Sequence, residues 1–230
     1  MTELTVLRVF LGPDGRGGNP LGVFLDGSAF ARDERLPMAH ELGFSETVFV
    51  DEVTDGRCRM AIYTPAVEMA FAGHPSVGTS WLLHERGTPV SSLEVPAGTV
   101  GTWRDDADGL TWIRARAEWA HPIHPRQYDS PAEIDALTPA IASDGDVYVW
   151  AWIDEADGTV RSRFFANEFG IAEDEATGLA AVRMGGLLGR PLTIRQGVGS
   201  ELYVRPDPAG GTVDVGGRVV FVERRDVVAA

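Results

Sequence analysis

The sequence predicts an α+β protein built as two similar lobes, and three observations carry that reading. Short apolar runs with the period of strands outnumber stretches with the period of a helix. Near the middle, from Trp119 to Tyr128, the composition shifts to His, Pro, Arg and Gln, with Pro122 and Pro125 stiffening what reads as a linker. On each side of it the same order recurs: a hairpin, a turn of acidic or small residues, then one long helix. This is a weak internal repeat, visible as pattern more than as identity. The implied division is 1–118 for an N-terminal lobe and 119–230 for a shortened C-terminal lobe, and 230 residues suffice to bury a real core.

The elements follow in order. Leu4 to Phe10 alternates as a strand should; the turn formers between Gly12 and Pro20 interrupt it, and Leu21 to Leu25 resumes the apolar run. Leu36, Met38, Ala39 and Leu42 indicate a short helix with Gly43 as its stop. Thr47 to Val50 and Cys58 to Tyr63 read as buried strands. A helix is expected from Pro75 to His84, since proline suits a first helical turn and Gly87 a stop. Strands at Leu93–Val95, Val100–Trp103 and Leu110–Ile113 complete the first lobe, the last two joined across Asp108-Gly109. The second lobe opens with a short helix after Ser130-Pro131. Val147–Ile153 and Val160–Phe165 form a hairpin across Asp157-Gly158, a helix runs from Glu175 to Leu188, and short strands fill the rest to Val222.

Composition excludes several functions. Acidic residues outnumber basic ones 34 to 20, the formal charge is −14, and no basic run could follow a phosphate backbone, so nucleic acid is not an expected partner. All 20 basic residues are arginine. The lack of lysine removes Schiff-base chemistry and a lysine-dependent phosphate loop. Cys58, the single cysteine, cannot form an intrachain disulfide, and its place between Arg57 and Arg59 in a strand reads as structural. No basic segment followed by an apolar core opens the chain, and no run approaches ~20 apolar residues. A cytoplasmic protein with no membrane contact is expected. His121 and His124 have ligand-like spacing, but prolines break a helix there and no cysteine or carboxylate cluster joins them, so no metal is expected.

Three segments could carry chemistry. Phe71-Ala72-Gly73-His74-Pro75-Ser76-Val77-Gly78-Thr79 sets a histidine among small residues where a helix begins, and free amides at a helix start attract an anion such as a carboxylate. The competing reading is a histidine that caps its own helix. Glu173-Asp174-Glu175-Ala176-Thr177-Gly178 is its counterpart in the second lobe, where acids are also common for dipole reasons alone. Glu46 heads an apolar strand; a carboxylate entering a desolvated region gains proton affinity and suits acid–base work, unless it stays in solvent.

These segments resemble the phenazine-biosynthesis isomerase family, relatives of diaminopimelate epimerase. The likeness runs in order through Gly18-Asn19-Pro20-Leu21, Ser45-Glu46-Thr47, Thr64-Pro65 with Glu68, and Phe71-Ala72-Gly73-His74-Pro75. It resumes at Phe164-Phe165-Ala166, Glu173-Asp174 with Ala176-Thr177-Gly178, and Gln196-Gly197. The resemblance implies two pseudo-symmetric lobes, each a mostly antiparallel sheet wrapped round a central helix, with the active site where both helices start. It implies an isomerase of secondary metabolism that moves a proton and a double bond on a small carboxylate-bearing metabolite, without a cofactor, as a homodimer. Glu46 would be the principal acid/base, with His74 and Asp174 assisting as catalytic residues. Asn19, Gly73, Ser76, Thr177, Gly178 and Leu179 would bind substrate. The epimerase branch needs a cysteine in each lobe, and Ala72 and Ala176 stand there instead.

Three departures matter. Glu175 replaces the family's usual proline and Leu179 its usual serine; the Gly-Arg-Pro element after Gly197 is shortened; and only Asp129 to Asp146 separates the linker from the strand at Val147. A binding protein that has kept the fold and lost turnover, or an epimerase using carboxylate and histidine in place of thiols, would share most of these features.

Overall fold

In the computed structural model, which describes residues 1–120, 123–169 and 171–227, the two halves of the chain repeat each other pairing for pairing. The first lobe contains β1 (Thr2–Leu11), β2 (Gly17–Phe24), α1 (Arg32–Leu42), β3 (Glu46–Thr54), β4 (Arg57–Tyr63), β5 (Glu68–Met69), α2 (Gly73–Glu85), β6 (Ser92–Val95), β7 (Gly98–Asp105) and β8 (Leu110–Arg116). The second contains β9 (Arg126–Gln127), α3 (Pro131–Ala136), β10 (Val147–Asp154), β11 (Thr159–Ala166), β12 (Ile171–Asp174), α4 (Gly178–Leu188), β13 (Leu192–Gln196), β14 (Ser200–Asp207) and β15 (Thr212–Val227). In the first lobe β2 lies parallel to β3, β3 and β4 form a hairpin, β4 pairs β5 antiparallel and β6 parallel, and β7 and β8 follow antiparallel. The second reproduces each step: β9 parallel to β10, the β10–β11 hairpin, β11 with β12 and β13, then β14 and β15. The trimming is visible in the same comparison, with two residues in β9 against eight in β2, and six in α3 against eleven in α1.

Each lobe wraps its sheet round one helix. Ten of the thirteen residues of α2 are buried, and small side chains at Gly73, Ser76, Gly78 and Thr79 let the surrounding strands approach it. On α4, Ala180, Ala181, Val182 and Met184 fill the same role and join the main core. The outer face of each sheet has its own cover. Phe30, Met38 and Ala39 close over Phe24 and Phe49 in the first lobe, while Ile134 and Ala142 close over Val149 and Phe165 in the second. The lobes are sewn together by β15. Its first six residues pair with β8 from Thr212 opposite Arg116 to Gly217 opposite Thr111, and beyond Arg218 it runs along β1 as far as Val227 opposite Thr2. A bidentate Arg114–Asp214 pair at 2.6 and 2.8 Å ties this seam.

Several boundaries shift from expectation. Asn19 and Pro20 belong to β2 and not to the turn before it, because they pair with Val9 and Arg8 while the partner on the other side, β3, begins only opposite Leu21. The tail is one strand of 16 residues, not a series of short ones. The second central helix starts at Gly178 and not at Glu175. Gly43, Asp108-Gly109 and Asp157-Gly158 end or turn their elements as read from the sequence, with left-handed glycines at 43, 109 and 158. Among the described residues no helix is long and apolar enough to cross a membrane.

Candidate active site

The site follows from one close approach. A Cβ on Gly73 would lie 2.6 Å from the Cα of Gly178, and a Cβ on Gly178 would lie 2.6 Å from the Cα of Gly73. The N-termini of α2 and α4 therefore meet backbone to backbone, and only glycine permits it. The amides of the first turn of each helix, which have no partner within their own helix, are concentrated at this junction. Beside it stands a cavity of about 570 Å³ whose wall is drawn from both lobes.

Glu46, the first residue of β3, and His74, in the first turn of α2, enter this cavity from the first lobe. Glu46 Oε2 lies 3.4 Å from His74 Nδ1, with the side chains 12% and 2% exposed. The glutamate is thus not a solvated strand end, and α2 has no side-chain cap, so His74 does not serve as one. Burial pushes the Glu46 carboxyl up to about 7, with Ser45 pulling weakly the other way. The same desolvation drives His74 down to about 4, against the charge of Asp174 and a hydrogen bond to the Pro20 carbonyl, so the imidazole is neutral at neutral pH. Glu46 Oε2 and His74 Nε2 are buried and have no hydrogen-bond partner among the described residues.

Asp174, the last residue of β12, comes from the second lobe and is 6% exposed. Desolvation first, and then the neighbouring Glu46 charge, raise it to about 7; His74, Thr177 and Asn19 act in the opposite sense. The turn carrying it is held by Gln196, whose Nε2 donates to the Asp174 carbonyl at 2.9 Å and to Thr177 Oγ1 at 2.8 Å, and whose Oε1 accepts from the Thr177 amide at 3.2 Å. Glu175 is turned away from the helix start and accepts from the Val198 amide and the Ser200 hydroxyl. That explains the late start of α4: its first acidic residues are engaged elsewhere, and Thr177 stays extended with its hydroxyl committed to Asp174.

The other residues named from the sequence divide into two groups. Gly73, Thr177, Gly178 and Leu179 line the cavity. Ser76 does not reach it; its hydroxyl donates back to the Ala72 carbonyl at 2.7 Å inside α2. Asn19 also lies behind the wall, 2% exposed and bonded to Asp174, Ala176 and Ser45. The sequence reading missed Thr64, Met69, Trp119, Ile123, Tyr148 and Phe164 as wall residues, and with them the titratable side chains of His124, Asp144, Asp146 and Glu168. Trp119 packs on Phe71 with ring centroids 5.3 Å apart, so the linker contributes to the site. Tyr148 and Phe164 face one another across the second hairpin, a pairing that alternation within the two strands could have signalled. Cys58 is buried in the core with its thiol pushed up to about 12, and Ala72 stands in the cavity wall. Among the described residues no group of three or more His, Cys, Asp or Glu side chains could hold a metal ion; His121 lies outside them.

The fold and this pair of buried carboxylates, one from each lobe beside the meeting of two helix starts, define the class, and comparison with known proteins agrees. The phenazine biosynthesis-like (PhzC-PhzF) profile matches residues 13–138. A trans-2,3-dihydro-3-hydroxyanthranilate isomerase of Pseudomonas aeruginosa is 30% identical over 260 aligned positions, covering 90% of this chain and 93% of that protein. An uncharacterized isomerase of Pasteurella multocida is 27% identical over 265 positions, covering 90% and 87%. Both alignments are longer than the 230-residue chain, so those relatives carry segments that it lacks. A PhzF-family phenazine biosynthesis protein of Bacillus anthracis superposes with a TM-score of 0.71 over 99% of both chains at 23% identity. The chain belongs to the phenazine biosynthesis-like family, and it is an isomerase.

Proposed function

We propose that the enzyme moves a proton, and with it a double bond, on a small carboxylate-bearing metabolite by acid–base catalysis, with no organic cofactor or metal. The observation that carries this is the convergence of Glu46 and Asp174, one from each lobe, in a single cavity where burial brings both proton affinities close to neutral pH. A general acid–base works best when its proton affinity matches the working pH. The substrate carboxylate would lie against the first amides of α2 and α4, which gather N–H donors at the site. Glu46 would take a proton from a carbon next to an activated double bond, the C–H electrons shifting into a new double bond as the old one moves. The proton on Glu46 would then close a new C–H bond at the far end. His74 and Asp174 would complete the polar surroundings of the reacting carbon. The Pseudomonas relative's substrate makes an unsaturated cyclic amino acid the first compound to test.

We also infer a homodimer. Val220, Phe221 and Val222 are 41, 42 and 48% exposed in succession on β15, where among the described residues only β1 pairs with the strand. An apolar edge of this kind invites a partner strand.

The test is turnover of trans-2,3-dihydro-3-hydroxyanthranilate in deuterated buffer, followed by proton NMR. Deuterium should enter the product as the double bond moves, and Glu46→Gln should abolish both while preserving fold and ligand binding. Exchange with inversion and no bond migration would mean an epimerase; binding without exchange would mean a binding protein. Turnover retained in Glu46→Gln would move the base elsewhere.

A further inference from the structure

The two buried carboxylates are not equivalent in their hydrogen bonds. Asp174 accepts at both oxygens: Asn19 Nδ2 donates to Oδ1 at 2.6 Å and Thr177 Oγ1 donates to Oδ2 at 2.5 Å. Glu46 Oε2 accepts none among the described residues, and Ser45 is the one side chain that acts on the Glu46 carboxyl as a hydrogen-bond donor. The orientation of the Asn19 amide is fixed by three neighbours, since its Nδ2 also donates to the Ala176 carbonyl at 3.1 Å and its Oδ1 accepts from the Ser45 hydroxyl at 2.9 Å. Turning the amide over would set its oxygen against a carboxylate and a carbonyl together. An amide N–H cannot reverse its role, so Oδ1 of Asp174 has to remain an acceptor. The Thr177 hydroxyl accepts from Gln196 Nε2, which leaves its proton free to be donated to Oδ2 of Asp174. Hydrogen bonds donated to a carboxylate favour its ionised form.

We propose that Asp174 is the first of the two carboxyls to ionise: the hydrogen bonds donated by Asn19 and Thr177 favour its charged form, and that charge leaves Glu46 as the carboxyl that gains and loses a proton at the higher pH. Asn19 is thereby a positioning residue, not a substrate ligand. It acts through Asp174 and, by way of Ser45 next to Glu46, spans the two lobes. Once Asp174 is ionised, its negative charge would add to the desolvation that already raises Glu46 and strengthen it as a base. This rests on the reading of Glu46 as the proton-transfer group. The other titratable groups in the wall are His74, His124, Asp144, Asp146, Glu168 and Tyr148. His74 is neutral at neutral pH, and among the described residues no arginine lines the cavity to neutralise the pair. Glu175, beside Asp174 in the chain, is turned to Val198 and Ser200 and does not compete.

The experiment is a carboxyl ¹³C NMR titration of the ligand-free protein labelled at Asp and Glu, with Glu46→Gln and Asp174→Asn used for assignment. Asp174 should titrate below Glu46. In Asn19→Leu the Asp174 titration should rise by about one to two pH units, the loss of one hydrogen bond to a charged group, and that of Glu46 should fall as its neighbour becomes neutral. Thr177→Val removes only the hydroxyl and should shift both groups in the same directions, which keeps the test open if Asn19→Leu does not fold. In either variant the acidic limb of the pH–rate profile should move to lower pH; a merely structural role would lower the rate without moving the limb. Glu46 titrating below Asp174 in the unmodified protein, or an Asp174 titration unmoved by both substitutions, overturns the proposal. The NMR readout needs no substrate, so it stands or falls separately from the turnover experiment on Glu46→Gln.

Discussion

Replacing Glu46 by glutamine should stabilise the protein above pH 7 and do little near pH 4. The Glu46 carboxyl titrates at 4.5 in an unperturbed chain and at about 7 in the folded protein, because folding removes it from water. Between those values the folded state holds the proton more tightly than the unfolded state. The associated stability is complete below about pH 4.5 and is lost as pH rises through about 7. A difference of 2.5 units corresponds to about 3 kcal/mol at alkaline pH and under about 1 kcal/mol at pH 5. The 12% exposure of the side chain leaves little solvent screening to reduce it. Glutamine keeps the shape and cannot ionise, so the variant escapes the loss. It also removes the charge repulsion between Glu46 and Asp174, which adds in the same direction. For a chain of this length about 3 kcal/mol is worth roughly 6–12 °C in Tm. Thermal melts of both proteins followed by circular dichroism at pH 5 and pH 8.5 would show it. An equal shift at both values, or a loss at pH 8.5, would refute the argument that desolvation governs Glu46. The gain would come with lost turnover, as expected where a functional group is held against its own solvation.

Gly178→Ala should cost about 1–3 kcal/mol by overpacking and reduce turnover more severely than stability, since its Cβ would strike the Gly73 backbone and part the two helix starts; denaturant melts beside kinetics would separate the two effects. Leu179 is half-buried and lines the cavity. Leu179→Ser should weaken turnover of the natural substrate and improve binding of a more hydroxylated analogue, while Leu179→Ala should chiefly loosen packing. Calorimetry showing unchanged preference in both would remove Leu179 from the site. Light scattering should give about twice the 24.8 kDa of one chain, falling to a single chain in Phe221→Glu; a monomer in the unmodified protein would contradict the dimer.

Local chemistry decided much of this molecule. The alternation of Leu4–Phe10, the glycine stop at Gly43 and the Asp-Gly turns at 108–109 and 157–158 depend on neighbours within a few residues, and the chain encodes them directly. The ordered motifs likewise placed Glu46, His74 and Asp174 as candidates before any geometry was known. What the sequence could not decide was everything set by distant contacts. Asn19 reads as a polar residue in a glycine-rich turn, and only the pairing of β2 with β1 and the arrival of Asp174 from 155 residues away make it a clamp on a carboxylate. Ser76 reads as a helix-start hydroxyl, and the helix's own Ala72 carbonyl takes it. Glu175 looked like the first residue of a helix until the loop before β14 claimed its side chain. Trp119 and Ile123 sit in a segment with no periodicity to mark them, yet they wall the cavity. Period and turn chemistry are properties of a few consecutive residues. Desolvation, and hence the proton affinity on which the proposed function rests, is a property of what two lobes bring together when they close on each other.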